Sequence, residues 1–277
     1  NADLSASSVK RKFRVLETYA GVSTNGGATT LEASLDPSGH YYNYVLGQTF
    51  DDPSTLVLTD AGGWGQDGYN KDFEVRDTLS SGRIDIERSF ETGMISALKF
   101  GVNVSDRYKS RSSNENFLCL VACRDGATLA IPPGLLTGSD FGFASVPGIT
   151  GYNALGALAS VYNLRRNDNV DITNKNWEID ETLTTFYAMA NIDTDLGSVP
   201  VTGNVGVQYV DTTQSSNGSL TYEGNPLGGP VTGGASYSEV LPSLNLNFML
   251  PGEQIVRLGV GRQMARPRMD ELRANAT

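Results

Sequence analysis

The chain has 277 residues and a formal net charge of −10, and only 19% of its residues are charged. This acidic balance argues against nucleic acid as a partner, because a phosphate backbone binds to a basic surface. No apolar run approaches the roughly 20 residues that a membrane-spanning helix needs, which excludes a helical membrane protein. The same observation does not argue against a transmembrane β-barrel, because barrel strands alternate apolar and polar residues and are only moderately hydrophobic.

The first 70 residues have the composition of strands and turns without a clear period, and a long connection is expected at about 21–71. This stretch contains the only histidine of the chain, His40. It lies in a loop-like setting with no recognisable serine elbow and no cysteine partner nearby. Neither a catalytic site nor a metal site is therefore predicted.

A clear alternation of apolar and polar residues begins at about residue 72 and predicts a hairpin. In its first strand, 72–90, Ile84 and Ile86 alternate with charged residues. Its second strand, about 94–109, is predicted to place apolar residues on one face and polar residues on the other. A tight turn is predicted at 91–93.

Two further hairpins follow the same rule. The second pairs strands at about 176–192 and 199–213, with a turn at 193–197. The third pairs strands at 237–250 and 255–265, with a turn at Pro251-Gly252-Glu253. Strict alternation over runs of this length is typical of strands that have one apolar face.

The connections alternate in length along the chain. Short turns join the strands of each hairpin, whereas long loops are expected at about 21–71, 111–174 and 214–235. In an up-and-down barrel of the outer membrane, one end carries short turns and the other carries long surface loops. The pattern therefore predicts an all-β fold, an antiparallel up-and-down sheet that forms a partial segment of a transmembrane β-barrel.

The two cysteines, Cys119 and Cys123, lie four positions apart among loop-like residues. A disulfide between them is predicted for an oxidising compartment such as the periplasm or the cell surface. The alternative is a pair of free thiols.

Five short motifs stand out in the predicted strands: RIDI at 83–86, ALKFGV at 97–102, TGNVGVQY at 202–209, YSEVLPSLNL at 237–246 and GRQMARP at 261–267. These motifs resemble segments of the family of TonB-dependent outer-membrane receptors. Their order and spacing agree with the family over roughly residues 72–272.

The resemblance implies a transporter and not an enzyme, located in the outer membrane of a Gram-negative bacterium. It implies uptake of a small-molecule or oligosaccharide ligand, of a carbohydrate or siderophore type, with no cofactor. The implied partners are this ligand, the TonB system through a plug region, and outer-membrane lipid.

The chain is expected to be a partial barrel, 1–277, with the plug domain and the C-terminal strands lying outside it. About seven strands are expected, whereas plugged transporters of this type have 22. Seven strands cannot close such a barrel, so an open sheet with two edges is predicted.

Ligand contacts are expected in the long loops. Tyr152, Tyr162 and Tyr222 are the candidates, because an aromatic ring with a polar rim stacks well on a sugar ring. The alternative for each is an aromatic residue packed within its loop. A short surface helix is predicted at 151–166 from the spacing of its apolar residues.

Two other interpretations of the chain remain open. A soluble secreted all-β carbohydrate-binding module has the same alternation, because lipid and a protein core are equally apolar. A plugless porin differs from a receptor only in lacking the parts that couple it to energy. A soluble module would fold without detergent, which distinguishes it from a membrane barrel. The sequence that flanks this segment would distinguish a plugless porin from a receptor.

Overall fold

Strands dominate the computed structural model, which describes residues 1–22, 30–48, 50–124, 126–223 and 225–275. The strands are β1 (Ala2–Thr18), β2 (Ala20–Val22), β3 (Leu31–Leu35), β4 (Tyr42–Leu46), β5 (Leu56–Thr59), β6 (Gly68–Ser89), β7 (Ile95–Cys119), β8 (Thr128–Ala130), β9 (Leu136–Phe141), β10 (Val146–Tyr152), β11 (Asn163–Arg166), β12 (Trp177–Leu196), β13 (Val199–Gly218), β14 (Thr221–Tyr222), β15 (Asn225–Pro226), β16 (Val231–Leu250) and β17 (Gln254–Gly261). The α-helices are short, α1 (Ala154–Ser160) and α2 (Val170–Thr173), and there are 3-10 turns at Pro133–Leu135, Gly142–Ala144 and Met269–Glu271. Within the described ranges, no helix is long and apolar enough to cross a membrane.

The chain divides into two compact units. The first, here called the strand unit, comprises Asn1–Lys12, Glu74–Ser112 and Asn169–Thr277. The second, here called the loop unit, comprises Phe13–Phe73 and Ser113–Asp168.

The long strands follow one another in the sheet order β1-β6-β7-β12-β13-β16-β17. Each is the neighbour of the next long strand along the chain, and the four pairs from β7 to β17 are antiparallel. The prediction of an all-β, antiparallel up-and-down sheet is therefore confirmed. The order ends at β1 and β17, so the sheet is open.

The turn between β12 and β13 is tighter than the sequence pattern indicated. The predicted turn at 193–197 is mostly strand, because β12 continues to Leu196, which pairs with Val199. Only Gly197 and Ser198 connect the two strands, and Gly197 has a φ of +66°. Glycine adopts this left-handed conformation without the steric cost of a β-carbon.

The strands also extend further than predicted towards the long connections. β7 continues to Cys119, past residue 111 where a loop was expected, and β13 continues to Gly218, which pairs with Val231 of β16. The predicted limits of the connections at 111–174 and 214–235 therefore differ from the structure. Their ends are rich in Ser, Thr, Asn and Gly, which give no apolar alternation, yet their backbone groups still pair in the ladder.

The loop unit has a hydrophobic core of its own. β5 lies between β2 and β8, and its side chains are buried. The core consists of Leu56, Leu58, Leu118, Leu120, Ile131, Ala157 and Tyr162. Two of the three stretches predicted as long connections, 21–71 and 111–174, thus contain strands around a packed interior.

The predicted helix at 151–166 is shorter in the structure. Asn153 caps α1, since its side-chain oxygen accepts a hydrogen bond of 3.0 Å from the backbone N–H of Gly156. The helix ends at Ser160, residues 151–152 belong to β10, and residues 163–166 form β11, which pairs antiparallel with the end of β7. This strand partner lies far away in the sequence, so helical spacing alone could not reveal it.

Leu118→Ala is expected to destabilise the loop unit. The Leu118 side chain is fully buried, and its removal leaves a cavity that costs about 2–5 kcal/mol. Leu155→Ala is the matched control, because that side chain is 60% exposed on α1 and alanine favours a helix. Limited proteolysis of the folded receptor, mapped to the loop unit, measures the difference. Equal resistance of the two variants would contradict this core.

Candidate functional site

The pairing register divides the side chains of five strands between two faces of the sheet. Residues directly opposite one another share a face. One row across β7, β12, β13, β16 and β17 consists of Leu98, Ala190, Val205, Leu244 and Val260. All five residues are apolar. Because side chains alternate between the two faces of a strand, the rows two and four residues away along the strands lie on the same face and are also largely apolar.

We call this side of the strand unit the apolar face. It consists of Leu98, Phe100, Val102, Val104, Phe186, Ala188, Ala190, Ile192, Val201, Val205, Val207, Tyr209, Val240, Pro242, Leu244, Leu246, Phe248, Leu250, Val256, Leu258 and Val260. Many of these side chains lie open, such as Phe100 at 53% and Val260 at 62% exposed. A contiguous exposed apolar surface of this extent marks contact with a membrane or with another protein.

The height of the apolar face fits a bilayer. From Val240 to Leu250, β16 rises about 33 Å at about 3.3 Å per residue. For a strand tilted by about 45°, as in membrane barrels, this corresponds to about 23 Å, close to the apolar band of outer-membrane barrels.

The opposite side, here called the polar face, is rich in charged and amide side chains that pair with one another. Arg107 contacts Asp77 through two nitrogen atoms, at 2.9 and 2.7 Å. Lys99 lies 3.7 Å from Asp85 and 3.6 Å from Glu87. Such paired charges are compatible with the water-filled interior of a barrel. On the lipid-facing side, by contrast, a charged side chain would be costly.

A glycine on the polar face makes room for an aromatic ring. Gly101 pairs with Tyr187, and a β-carbon at Gly101 would come within 2.4 Å of the tyrosine ring. The Tyr187 hydroxyl accepts a hydrogen bond of 2.9 Å from Arg83. The ring thus lies across the sheet and links three strands.

The C-terminal segment, residues 266–275, folds back onto the polar face. Arg266 contacts the buried carboxylate of Glu181 at 2.6 Å, and Gln214 donates a hydrogen bond of 2.5 Å to the same carboxylate. Met269 packs against Trp177 and Ile179. The last predicted strand, 255–265, ends earlier than expected, at Gly261. Sequence reasoning missed this contact, although Pro267 indicated that the strand could not continue.

The three tyrosines predicted to contact ligand lie in different settings. Tyr162 belongs to the core of the loop unit and is 8% exposed, while Tyr152 packs against that core and donates a hydrogen bond of 2.7 Å to Thr18. Burial, with the nearby Tyr152, raises the pKa of the Tyr162 phenol far above its usual value. Tyr222, in β14 of the strand unit, is 59% exposed. The structure brings Tyr152 and Tyr162 together, and ligand contact by any of the three stays a prediction.

The two cysteines form a disulfide bridge in the structure. Their Cα atoms are 4.9 Å apart, and Cys119 is the last residue of β7. The bridge ties the end of this strand to the chain that follows it, beside the core residues Leu118 and Leu120.

Arg266→Met is expected to loosen the C-terminal segment. The buried Glu181 carboxylate would then lose its ion-pair partner, at a cost of about 1–2 kcal/mol after allowance for the partial exposure of Arg266. Hydrogen exchange at the Ala274 amide, which donates to Ser216 at 3.0 Å, should accelerate about tenfold.

Arg268→Met is the control for this experiment, because the Arg268 side chain is 76% exposed and its ion pair contributes little. Adding Glu181→Gln to Arg266→Met should restore part of the protection. Equal exchange rates in the two arginine variants would show that the buried carboxylate does not hold the segment.

Comparison with known proteins agrees with this geometry. The family model described as TonB dependent receptor-like, beta-barrel matches residues 8–277. No curated protein matches the chain. The family match begins within β1 and covers all the remaining strands of the sheet, including those that carry the apolar face. The chain therefore belongs to the family of TonB-dependent receptor β-barrels.

Proposed function

We propose that this receptor takes up a neutral, hydroxyl-rich ligand such as an oligosaccharide across the outer membrane of a Gram-negative bacterium. Family membership supports the coarser part of this proposal, which is transport in the outer membrane rather than catalysis. It also favours the receptor over a soluble carbohydrate-binding module. Coupling to the TonB system through a plug region is part of the proposal.

The charge of the loop unit is the observation that supports a neutral ligand. Over 13–73 and 113–168 the sequence has five Lys and Arg residues against twelve Asp and Glu residues, a formal charge of −7. A field of this sign repels anions such as carboxylated or catecholate ferric complexes. Neutral sugars do not experience this repulsion.

Exposed aromatic residues in the same unit support a sugar in particular. The aromatic residues of the loop unit with the highest exposed fraction are Tyr41, Tyr42, Trp64 and Phe143. Trp64 also packs against Tyr19 with ring centroids 4.7 Å apart, which holds its ring in place, and the residue remains 60% exposed. Aromatic faces beside polar groups suit the alternating apolar and hydroxylated surfaces of a sugar ring.

The disulfide is consistent with this location. A bridge between Cys119 and Cys123 persists only in an oxidising compartment, as outside the inner membrane. We propose that it forms in the mature receptor.

Deleting the gene in its native host should abolish TonB-dependent uptake of a neutral oligosaccharide while iron uptake continues unchanged. The measurement is uptake of labelled oligosaccharides and of labelled ferric siderophores by the deletion strain and its parent. Loss of siderophore uptake with normal oligosaccharide uptake would overturn the proposed ligand class and leave the family assignment intact.

A second experiment tests membrane contact by the apolar face. Val207→Arg should lower the amount of folded receptor, because a cation facing lipid costs about 2–4 kcal/mol near the bilayer centre. Gln208→Arg is the matched control, since this exposed neighbour lies on the polar face. Outer-membrane fractions are run on gels without boiling, and the heat-modifiable band measures the folded receptor. Equal bands for both variants, or no heat-modifiable band in the wild type, would contradict the assignment of the faces.

A further inference from the structure

The loop unit contains a cleft between the β3–β4 hairpin and the β9–β10 hairpin. It has a volume of about 220 Å³ and is lined by Tyr44, Val45, Leu46, Gln48, Phe50, Asp51, Ser145, Val146 and Gly148. Two of its lining side chains are aromatic, three are aliphatic and three are polar. This mixture of apolar side chains and a few polar groups is typical of small-molecule sites.

Both walls of the cleft are tied together by hydrogen bonds. The backbone N–H of Thr150, in β10, donates to the carbonyl oxygen of Phe50 at 2.6 Å. The Ser145 hydroxyl donates to the side-chain oxygen of Asn43, in β4, at 2.7 Å. Val146, which lines the cleft, is buried. The cleft is therefore formed before any ligand arrives, which lowers the entropic cost of binding.

A strip of tyrosine rings leads out of the cleft along β4. Tyr42 and Tyr44 are two positions apart and share a face of the strand, with ring centroids 6.4 Å apart. Tyr42 is largely exposed, whereas Tyr44 reaches the cleft. Successive stacking surfaces of this kind suit successive rings of a chain-like ligand.

We propose that this cleft binds one terminal ring of a neutral oligosaccharide, with the next ring stacked on Tyr42; this rests on the proposed function. The volume lies below the roughly 300–1,000 Å³ of sites that enclose a drug-sized ligand. One ring, and not a whole oligosaccharide, therefore fits inside.

The polar lining groups explain the preference for a hydroxylated ring. Gln48 both donates and accepts hydrogen bonds, and the Asp51 carboxylate is a strong acceptor for ligand hydroxyl groups. The same carboxylate repels an acidic sugar. Phe50 and Tyr44 supply the apolar surfaces on which the less hydroxylated face of the ring packs.

The test measures binding of maltohexaose, cellohexaose and xylohexaose to the detergent-solubilised receptor by calorimetry. For the oligosaccharide that binds the wild type, Tyr42→Ala and Tyr44→Ala should each raise the Kd about tenfold, because each removes one stacking surface. Tyr44→Phe should keep the Kd within about twofold, since it retains the ring. Tyr209→Ala, which removes an exposed tyrosine of the apolar face, should leave the Kd unchanged.

Folding is checked by the heat-modifiable band, and Tyr42→Ala decides the question if Tyr44→Ala fails to fold, because the Tyr42 side chain lies mostly in solvent. If the wild type binds an oligosaccharide and Tyr42→Ala and Tyr44→Ala bind it with unchanged affinity, the cleft is not the binding site, and the proposed function is unaffected. Absence of oligosaccharide binding by the wild type, together with binding of a ferric siderophore, would overturn both.

Discussion

The hydrogen-bond register between antiparallel strands is the constraint on which the rest of this receptor segment depends. Val205 pairs with Ala190 on one side and with Leu244 on the other, so three strands present apolar side chains at the same level. A slip of one residue would transfer every side chain of a strand to the opposite face. In lipid, a slip also cannot be compensated by water, because backbone groups there must be satisfied within the sheet.

The two faces created by this register meet opposite requirements. The apolar face contributes little by packing on the chain itself, since residues such as Phe186 stay about half exposed. The polar face instead contains paired charges, each of which adds little stability where it is exposed to solvent. The buried carboxylate of Glu181 is different, because both of its oxygens are satisfied, one by Arg266 and the other by Gln214. This pair fixes the C-terminal segment on the sheet.

The loop unit combines a rigid interior with an accessible exterior. Leu58 and Leu118 anchor a core that burial alone can stabilise, without help from the membrane. The same unit carries exposed rings such as Tyr42 and a formal charge of −7 out of the net −10 of the chain. Functional side chains that project from a packed scaffold lose less freedom on binding than those of an unstructured loop.

The sequence by itself determined the strand type, the hairpin order and the two faces. A period of two over runs such as 199–213 is a local property, because the apolar or polar character of each residue indicates the face of the strand on which its side chain lies. The family motifs added the membrane context. Composition also indicated aromatic ligand contacts, but it could not rank one tyrosine above another.

Only the tertiary structure decided what lies between the strands. Tyr162 is part of a core in which all other members except Ala157 come from three distant stretches of the chain, so local spacing could not show its burial. The contact of Arg266 with Glu181 joins residues 85 positions apart, and the cleft beside Tyr44 needs Val146 from another hairpin. Long-range contacts of this kind depend on the complete fold, because the side chains that meet carry no shared period in the sequence.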